Sequence, residues 1–126
     1  MKVLNIIETA YRATLEEQDD PIVWLLYAMK GAGADVDVLL SANAVNYAVE
    51  AQDASGLALA SAAQTQPPQL AQDVANLARK GVTVYVVDEA LQERGISGEE
   101  LICGIQTLPR ARIAELFAGY DQVWQW

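Results

Sequence analysis

The sequence predicts an α/β fold: a single three-layer α/β/α domain with a parallel sheet of about five strands. Short runs rich in Val, Leu and Ile alternate along the chain with segments whose apolar residues recur at helical spacing. That alternation is typical of a parallel sheet covered by helices on both faces. The chain has 126 residues, of which 52% are hydrophobic, and this suits one folded domain. We therefore expect a single domain over residues 1–126.

Five segments are predicted as strands because each is short, apolar and bounded by polar residues or glycine. In chain order they are Lys2–Glu8, Asp35–Leu40, Val82–Val87, Cys103–Leu108 and Gln122–Trp126. Right-handed crossovers should join them, since the chirality of the chain favours that hand. Thr9–Asp20 is polar and acidic, so we predict a long loop after the first strand. Loops of about a dozen residues inside a compact domain are uncommon and often functional.

Helices are predicted between the strands from capping residues and apolar spacing. The first begins at Asp20 and Pro21, an acidic cap followed by proline in the first turn, and Gly31 and Gly33 end it. Ser41 is predicted to cap the second helix. The expected buried positions are Ile22, Leu25, Leu26 and Met29 in the first helix, and Ala44, Val45, Ala48 and Val49 in the second.

Three further helices are predicted in the second half of the chain, each ending near a glycine. One opens at Pro67 and Pro68 and closes at Arg79–Gly81, one spans Glu89–Arg94, and one opens at Pro109 and ends at Gly119. Asp88 is predicted to cap the helix Glu89–Arg94. The small and polar segment Ala51–Gln66 fits either a flexible crossing or part of a helix.

The charge and the apolar pattern exclude several classes of protein. The chain has 17 acidic and 8 basic residues, a formal net charge of −9. That charge repels nucleic-acid phosphate, so no direct nucleic-acid binding is expected. The longest apolar run, Ile22–Met29, is too short to span a bilayer, so no membrane insertion is expected. The N-terminus lacks the long apolar core of a secretory signal, and we predict a cytoplasmic protein.

The cysteine and histidine counts restrict the chemistry. Cys103 is the only cysteine, and the chain has no histidine. No intramolecular disulfide can form, which fits a reducing compartment. The absence of histidine removes Ser-His and Cys-His mechanisms and most zinc sites. We predict no metal site and no cofactor.

Two segments of the second half resemble a known family. They are the strand-to-helix segment Val84–Leu101, VYVVDEALQERGISGEEL, and the ending Leu108–Trp126, LPRARIAELFAGYDQVWQW. Both resemble the small sulfur-relay proteins of the DsrE/DsrF/DsrH superfamily, which includes the TusB, TusC and TusD subunits. In these proteins a strand enters a short helix that ends in Arg-Gly and an aliphatic residue, here Arg94–Ile96. A final helix then leads to a last strand with a terminal aromatic, matched here by Trp124 or Trp126.

The resemblance implies a fold, an assembly and a process. The fold is an α/β/α domain with a five-stranded parallel sheet, and the assembly is a homo-oligomer or a hetero-oligomer of related subunits. The process is intracellular sulfur transfer, in sulfur oxidation or in thiolation of tRNA, with a small sulfur-carrier protein as partner. Counted back from Arg94, the persulfide cysteine of the family falls at Val87. Valine cannot hold a sulfane sulfur, so the resemblance leaves enzymatic activity open.

The predicted binding crevice lies at the end of the third strand and in the loops beside it. Its members are Tyr11, Arg12, Ser41, Asn43, Val87 and Asp88. Ligands in open parallel sheets bind at the carboxyl ends of the strands, and N–H groups at a helix start can hold an anion. The polar members also have structural explanations, because Ser41 and Asp88 can cap helices and Arg12 can balance the acids of its loop.

The single thiol and the terminal tryptophans complete the candidate residues. Cys103 is the candidate catalytic residue, as a sulfur carrier. A reactive thiolate needs a helix N-terminus or a nearby cation, whereas Cys103 lies in the apolar run LICGIQTL beside Glu99 and Glu100. A buried structural cysteine is therefore the favoured interpretation. Trp124 and Trp126 share one face of the last strand, and we predict that they pack on the final helix or in a subunit interface.

Three functions follow from these observations. The leading hypothesis is a sulfur-relay partner subunit that lacks the usual persulfide cysteine. The second is a sulfurtransferase that carries sulfur on Cys103. The third is a small-ligand or regulatory binding domain, although the sequence has no glycine-rich phosphate loop.

Overall fold

Alternating apolar strands and amphipathic segments fold as a five-stranded parallel sheet flanked by helices, and the predicted fold class is confirmed. The computed structural model describes residues 1–11 and 20–126. The elements are β1 (Lys2–Ile7), α1 (Pro21–Gly31), β2 (Asp35–Leu40), β3 (Ala58–Leu59), β4 (Ala62–Ala63), α2 (Leu70–Arg79), β5 (Val84–Val87), α3 (Asp88–Gln92), β6 (Gln106–Leu108), α4 (Ile113–Phe117) and β7 (Gln122–Gln125). Three 3-10 segments are Ala42–Ala48, Gly98–Glu100 and Arg110–Arg112.

The strand order of the main sheet explains the layers. The order is β6-β5-β2-β1-β7, and every neighbouring pair is parallel. From β1 to β2, β5 and β6 the chain moves in one direction, so right-handed crossovers place α1, α2 and α3 on one face. The return from β6 to β7 crosses the sheet in the opposite direction and places α4 on the other face. The carboxyl ends of β2 and β5 therefore meet at one edge of the sheet.

The core lies between the sheet and the helices and fixes the helices in place. β1 contributes Leu4 and Ile7, which are fully buried. Leu26 of α1 and Leu77 of α2 pack into the same cluster. Burial of each such side chain contributes about 1.5–3 kcal/mol. The packed core therefore holds the strands of the sheet and the helices in fixed relative positions.

The first helix begins as its sequence predicts. Oδ1 of Asp20 accepts hydrogen bonds from the backbone N–H of Ile22 at 2.9 Å and of Val23 at 3.1 Å. The helix ends at Gly31, and Gly33 follows with φ of 91°, a conformation that glycine adopts without strain. In the described parts of the chain, no helix combines the length and the apolar character needed to cross a membrane.

The prediction of an α-helix after Ser41 is wrong in the type of helix. Ala42–Ala48 is a 3-10 segment, and the Ser41 side chain makes no capping hydrogen bond. Three residues per turn bring Ala44 and Tyr47 to the same face. Tyr47 is fully buried, whereas Val49, which the α-helical spacing placed inside, is only partly buried.

The segment Ala51–Gln66, which fits two structures by sequence, folds as irregular chain with one small hairpin. Ala58 of β3 pairs with Ala63 of β4, and Leu59 pairs with Ala62, in antiparallel register. The predicted loop Thr9–Asp20 is described only at its ends. Arg12 of the predicted crevice lies outside the described residues.

Candidate functional site

The end of β5 is a core position. Val87 is 0% exposed and pairs with Leu108 of β6. Asp88 follows directly as the first residue of α3, and the helix has no side-chain cap. The prediction that Asp88 caps a helix over Glu89–Arg94 is therefore wrong; its carboxylate lies in the first turn, where it complements the helix dipole. The side chain of Val87, the position that resembles the persulfide site, is thus enclosed in the core.

Glu89, the residue after Asp88, is hydrogen-bonded to the segment that follows β6. Oε2 of Glu89 accepts a hydrogen bond from the backbone N–H of Arg110 at 2.7 Å, and this bond is the main cause of a pKa below the ordinary value for Glu89. The guanidinium of Arg110 contacts Glu93 at 3.0 Å. These contacts tie α3 to the segment that follows β6. Within residues 1–11 and 20–126, no three His, Cys, Asp or Glu side chains come together as a metal site.

Asn43 is joined to the end of α3 by Arg94. Oδ1 of Asn43 accepts from Nη2 of Arg94 at 2.8 Å and from Nε at 3.3 Å. Nη1 of Arg94 donates to the backbone carbonyl of Ala90 at 3.0 Å. Sequence spacing does not predict this contact, although Arg94 belongs to the Arg-Gly pair on which the family resemblance rests. The guanidinium therefore fixes the two segments that flank the carboxyl ends of β2 and β5.

Tyr47 connects the two described ends of the loop after β1, a role that sequence spacing alone does not indicate. The backbone N–H of Tyr11 donates to Oη of Tyr47, and the Tyr47 hydroxyl donates to Oδ2 of Asp20 at 2.8 Å. The Tyr11 and Tyr47 rings meet edge to face at 5.4 Å between centroids. Tyr47 and Asp20 are both fully buried, and burial raises the pKa of Tyr11. The phenol thus holds the described chain on either side of residues 12–19.

Tyr11 also borders a cavity of about 420 Å³ near the start of α2. Other lining residues include Glu50, Asp53, Gln64 and Leu70. Ser41, Asn43, Val87 and Asp88 do not line it. Of the predicted crevice residues that the structure describes, Tyr11 alone lines this cavity, so the predicted set is not gathered around it.

Cys103 is exposed, and its interpretation as a buried structural cysteine is wrong. The predicted strand Cys103–Leu108 begins only at Gln106. The chain turns at Cys103 and Gly104, where Gly104 has φ of 90°, and this turn keeps the thiol out of the sheet. Cys103 precedes β6, whereas Val87 lies at the carboxyl end of β5. The Cys103 thiol therefore lies away from Val87, the position to which the resemblance assigns a cysteine.

A sequence model of the DsrE/DsrF-like family matches residues 1–125. The chain belongs to this family. DsrE-family proteins are typically oligomeric. No curated protein sequence matches the chain significantly.

Solved structures agree with the DsrE-like fold. The YchN protein of E. coli has a TM-score of 0.69 and 18% identity, with 100% of both chains covered. MTH1491 of Methanobacterium thermoautotrophicum, described as a protein of unknown function, has a TM-score of 0.64 and 14% identity. That match covers 98% of this chain and 97% of the other. These similarities show the fold of the chain.

The two terminal tryptophans of this DsrE-like chain have partners in the same subunit. Nε1 of Trp126 donates to Oδ1 of the buried Asn5 at 3.1 Å, and Nε1 of Trp124 donates to Oε1 of Gln122 at 2.9 Å. The two indole rings meet edge to face at 6.5 Å. Both side chains are half-buried. The interface predicted at Trp124 and Trp126 stays a prediction.

A buried carboxylate joins the sheet to the segment after α4 in this DsrE-like domain. Asp37 is 4% exposed and accepts from the Thr83 N–H at 2.7 Å and from the Tyr120 hydroxyl at 2.8 Å. Nζ of Lys2 lies 3.3 Å away. Burial alone would raise the pKa of Asp37, but the hydrogen bonds and Lys2 together lower it. Burial and the bond to Asp37 raise the pKa of Tyr120.

Proposed function

We propose that this DsrE-like chain is a partner subunit of an intracellular, cytoplasmic sulfur relay, in sulfur oxidation or tRNA thiolation. It assembles with related subunits or a small sulfur-carrier protein and carries no sulfur at the end of β5. The observation that carries the proposal is Val87, which lacks a nucleophile and is fully buried where the resemblance places a persulfide cysteine.

The carboxyl edge of the sheet supports contact with a partner. Asn43 is exposed and its side chain is fixed by Arg94, and Asp88 is half-exposed at the start of α3. Tyr11 is 53% exposed at the same end of β1. A rigid polar surface in a chain of net charge −9 suits a partner that presents a basic loop, because complementary charge speeds and orients association.

Sulfur uptake tests this proposal. The folded protein, the Cys103→Ser variant and the wild type unfolded in urea are mixed with glutathione persulfide, and intact mass is followed over time. A partner subunit should gain about 32 Da per sulfur no faster when folded than when unfolded. Uptake at least about tenfold faster in the folded protein, abolished in Cys103→Ser, would contradict the proposal because it shows a built transfer site.

The exposure of Cys103 favours a second candidate, a sulfurtransferase. The Cys103 thiolate would attack the outer sulfur of a donor persulfide, so that the donor leaves as a thiolate and Cys103 holds the sulfane sulfur. The fast, Cys103-dependent uptake just described supports this candidate. Onward transfer to an acceptor thiol, measured as loss of the added mass, would establish it.

Assembly is tested separately by size-exclusion chromatography with light scattering. The proposal expects an oligomer, or a complex with a related subunit when the two are produced together. A chain that stays monomeric alone and with every related subunit refutes the partner role.

A further inference from the structure

The helix α1 is apolar on both its inner and its outer side. Val23 and Leu26 face the core, with at most 2% of each side chain exposed. On the outer side, Trp24 is 60% and Tyr27 is 43% exposed, and the adjoining Ala28 is also exposed. Helices that are hydrophobic all round are normally buried. Among the described residues, the Lys80 ammonium lies over the Tyr27 ring, and the Trp24 side chain remains the more exposed of the two.

The neighbouring helix α2 is an internal comparison. α1 has 11 residues and α2 has 10, and both pack on the same side of the sheet. The exposed positions of α2 are polar, with Gln72 and Arg79 pointing away from the core. Exposure to solvent therefore selects polar side chains on α2 but not on α1. The difference indicates that the outer face of α1 meets another molecule.

We propose that the occupant is a second copy of this chain, packed α1 against α1 about a two-fold axis. A two-fold contact needs a patch that is complementary to itself. Beside the projecting Trp24 lies a hollow of about 270 Å³ lined by Val23, Tyr27, Asp73 and Asn76. That volume is below the ~300–1,000 Å³ typical of small-molecule sites and suits one aromatic side chain. Trp24 of each copy would enter the hollow of the other.

Local charge permits this approach despite the net charge of −9. The exposed positions Trp24, Tyr27, Ala28 and Gly31 carry no carboxylate, and the hollow beside them is lined by one, that of Asp73. Lys30 lies in the last turn of α1, and Nζ of Lys80 lies 3.6 Å from the centroid of the Tyr27 ring. These cations offset part of the acidic field that otherwise keeps two copies apart.

The outer face of α1 is too small to form the whole interface between two copies. An 11-residue helix is about 16 Å long and about 10 Å wide. A standard interface buries about 800 Å² on each partner, so α1 supplies the apolar centre and the outer polar residues of α2 supply the rim. Aromatic centres with polar rims are the usual arrangement, and Trp and Tyr carry most of the energy in such centres.

Analytical ultracentrifugation of the Trp24→Ser variant tests whether Trp24 contributes to the affinity between the two copies. Leu57→Ser is the matched control, because Leu57 is 67% exposed on a different surface. Trp24→Ser should weaken self-association at least about 30-fold, and Leu57→Ser should not change it. Unchanged melting temperatures confirm that both variants fold. Equal self-association of wild type and Trp24→Ser, or a wild type that is monomeric at millimolar concentration, overturns the inference.

Cross-linking tests whether the occupant is the same face of a second copy. In a Cys103→Ser background, Ala28→Cys should form covalent dimers with a short bismaleimide, because the two positions approach each other near the axis. Gln92→Cys, exposed on α3, is the control and should remain uncross-linked. Absence of the Ala28→Cys dimer refutes the two-fold contact. The inference does not rest on sulfur chemistry, so its failure leaves the relay proposal intact.

Discussion

Replacement of Asp37 by asparagine should destabilise the fold at neutral pH. The asparagine carbonyl can still accept from the Thr83 N–H, but the amide cannot replace the carboxylate that faces the Tyr120 hydroxyl and Lys2. A hydrogen bond to a charged group contributes about 1.5–3 kcal/mol. The Lys2 ion pair adds about 0–1 kcal/mol, since the side chain of Lys2 is 42% exposed. Asp37→Asn should therefore cost about 1.5–4 kcal/mol in all.

The pH dependence identifies the charge as the cause. Because the folded state lowers the pKa of Asp37, its stabilisation is present above the unfolded pKa of about 3.9. It is lost as the pH falls through the lower folded value. The difference in unfolding free energy between wild type and Asp37→Asn should consequently be constant near neutrality and shrink below about pH 4.

Urea denaturation at several pH values and thermal melting measure these effects at one fixed protein concentration, since self-association also changes apparent stability. The melting temperature of Asp37→Asn should fall by about 5–20 °C at pH 7. Asp35→Asn is the control, because Asp35 is exposed on the same strand, and it should change stability by less than about 0.5 kcal/mol. The reasoning is refuted if the two variants behave alike, or if the Asp37→Asn deficit persists undiminished at low pH.

Three further predictions follow from the site. Tyr47→Phe removes the hydroxyl that donates to the buried Asp20, so the unfolding free energy should fall by about 1–3 kcal/mol in urea denaturation; a neutral result would show that the bond is dispensable. Arg94→Ala removes donors to two segments and should lower the melting temperature measurably, whereas a variant as stable as wild type would contradict its role. A chromogenic disulfide reagent should react with Cys103 within the folded protein, but the second thiol of Val87→Cys should react only after unfolding; equal rates would show that the end of β5 is open.

Most of the fold could be predicted because its signals are local. The cap at Asp20 and the apolar runs of the strands act within a few residues, and hydrogen bonds and burial confirm them. The 3-10 segment Ala42–Ala48 was predicted as an α-helix, because its small apolar residues fit both periods. The position of Cys103 was missed because one glycine, Gly104, turns the chain before the strand.

The candidate site was harder to predict because its contacts join distant parts of the chain. Asn43 and Arg94 are 51 positions apart, and Tyr47 and Asp20 are 27 apart. Each residue alone fits an ordinary role at a helix end or on a solvated surface. Sequence spacing can place residues on one element, but it does not show which side chains of two elements meet.

The pairing of β1 with both β2 and β7 has a consequence for folding during synthesis. β1 is synthesised before β7, so one of its sides stays unpaired until β7 is made. The Lys2 backbone N–H then donates to Asp121, next to β7, across 119 positions. Until then β1 presents an open strand edge, which invites pairing with other chains. A chain shortened before Gln122 would keep that edge permanently. Such a product should aggregate more readily than the full chain. By pairing with β1, β7 therefore protects the sheet from association with other chains, in addition to completing it.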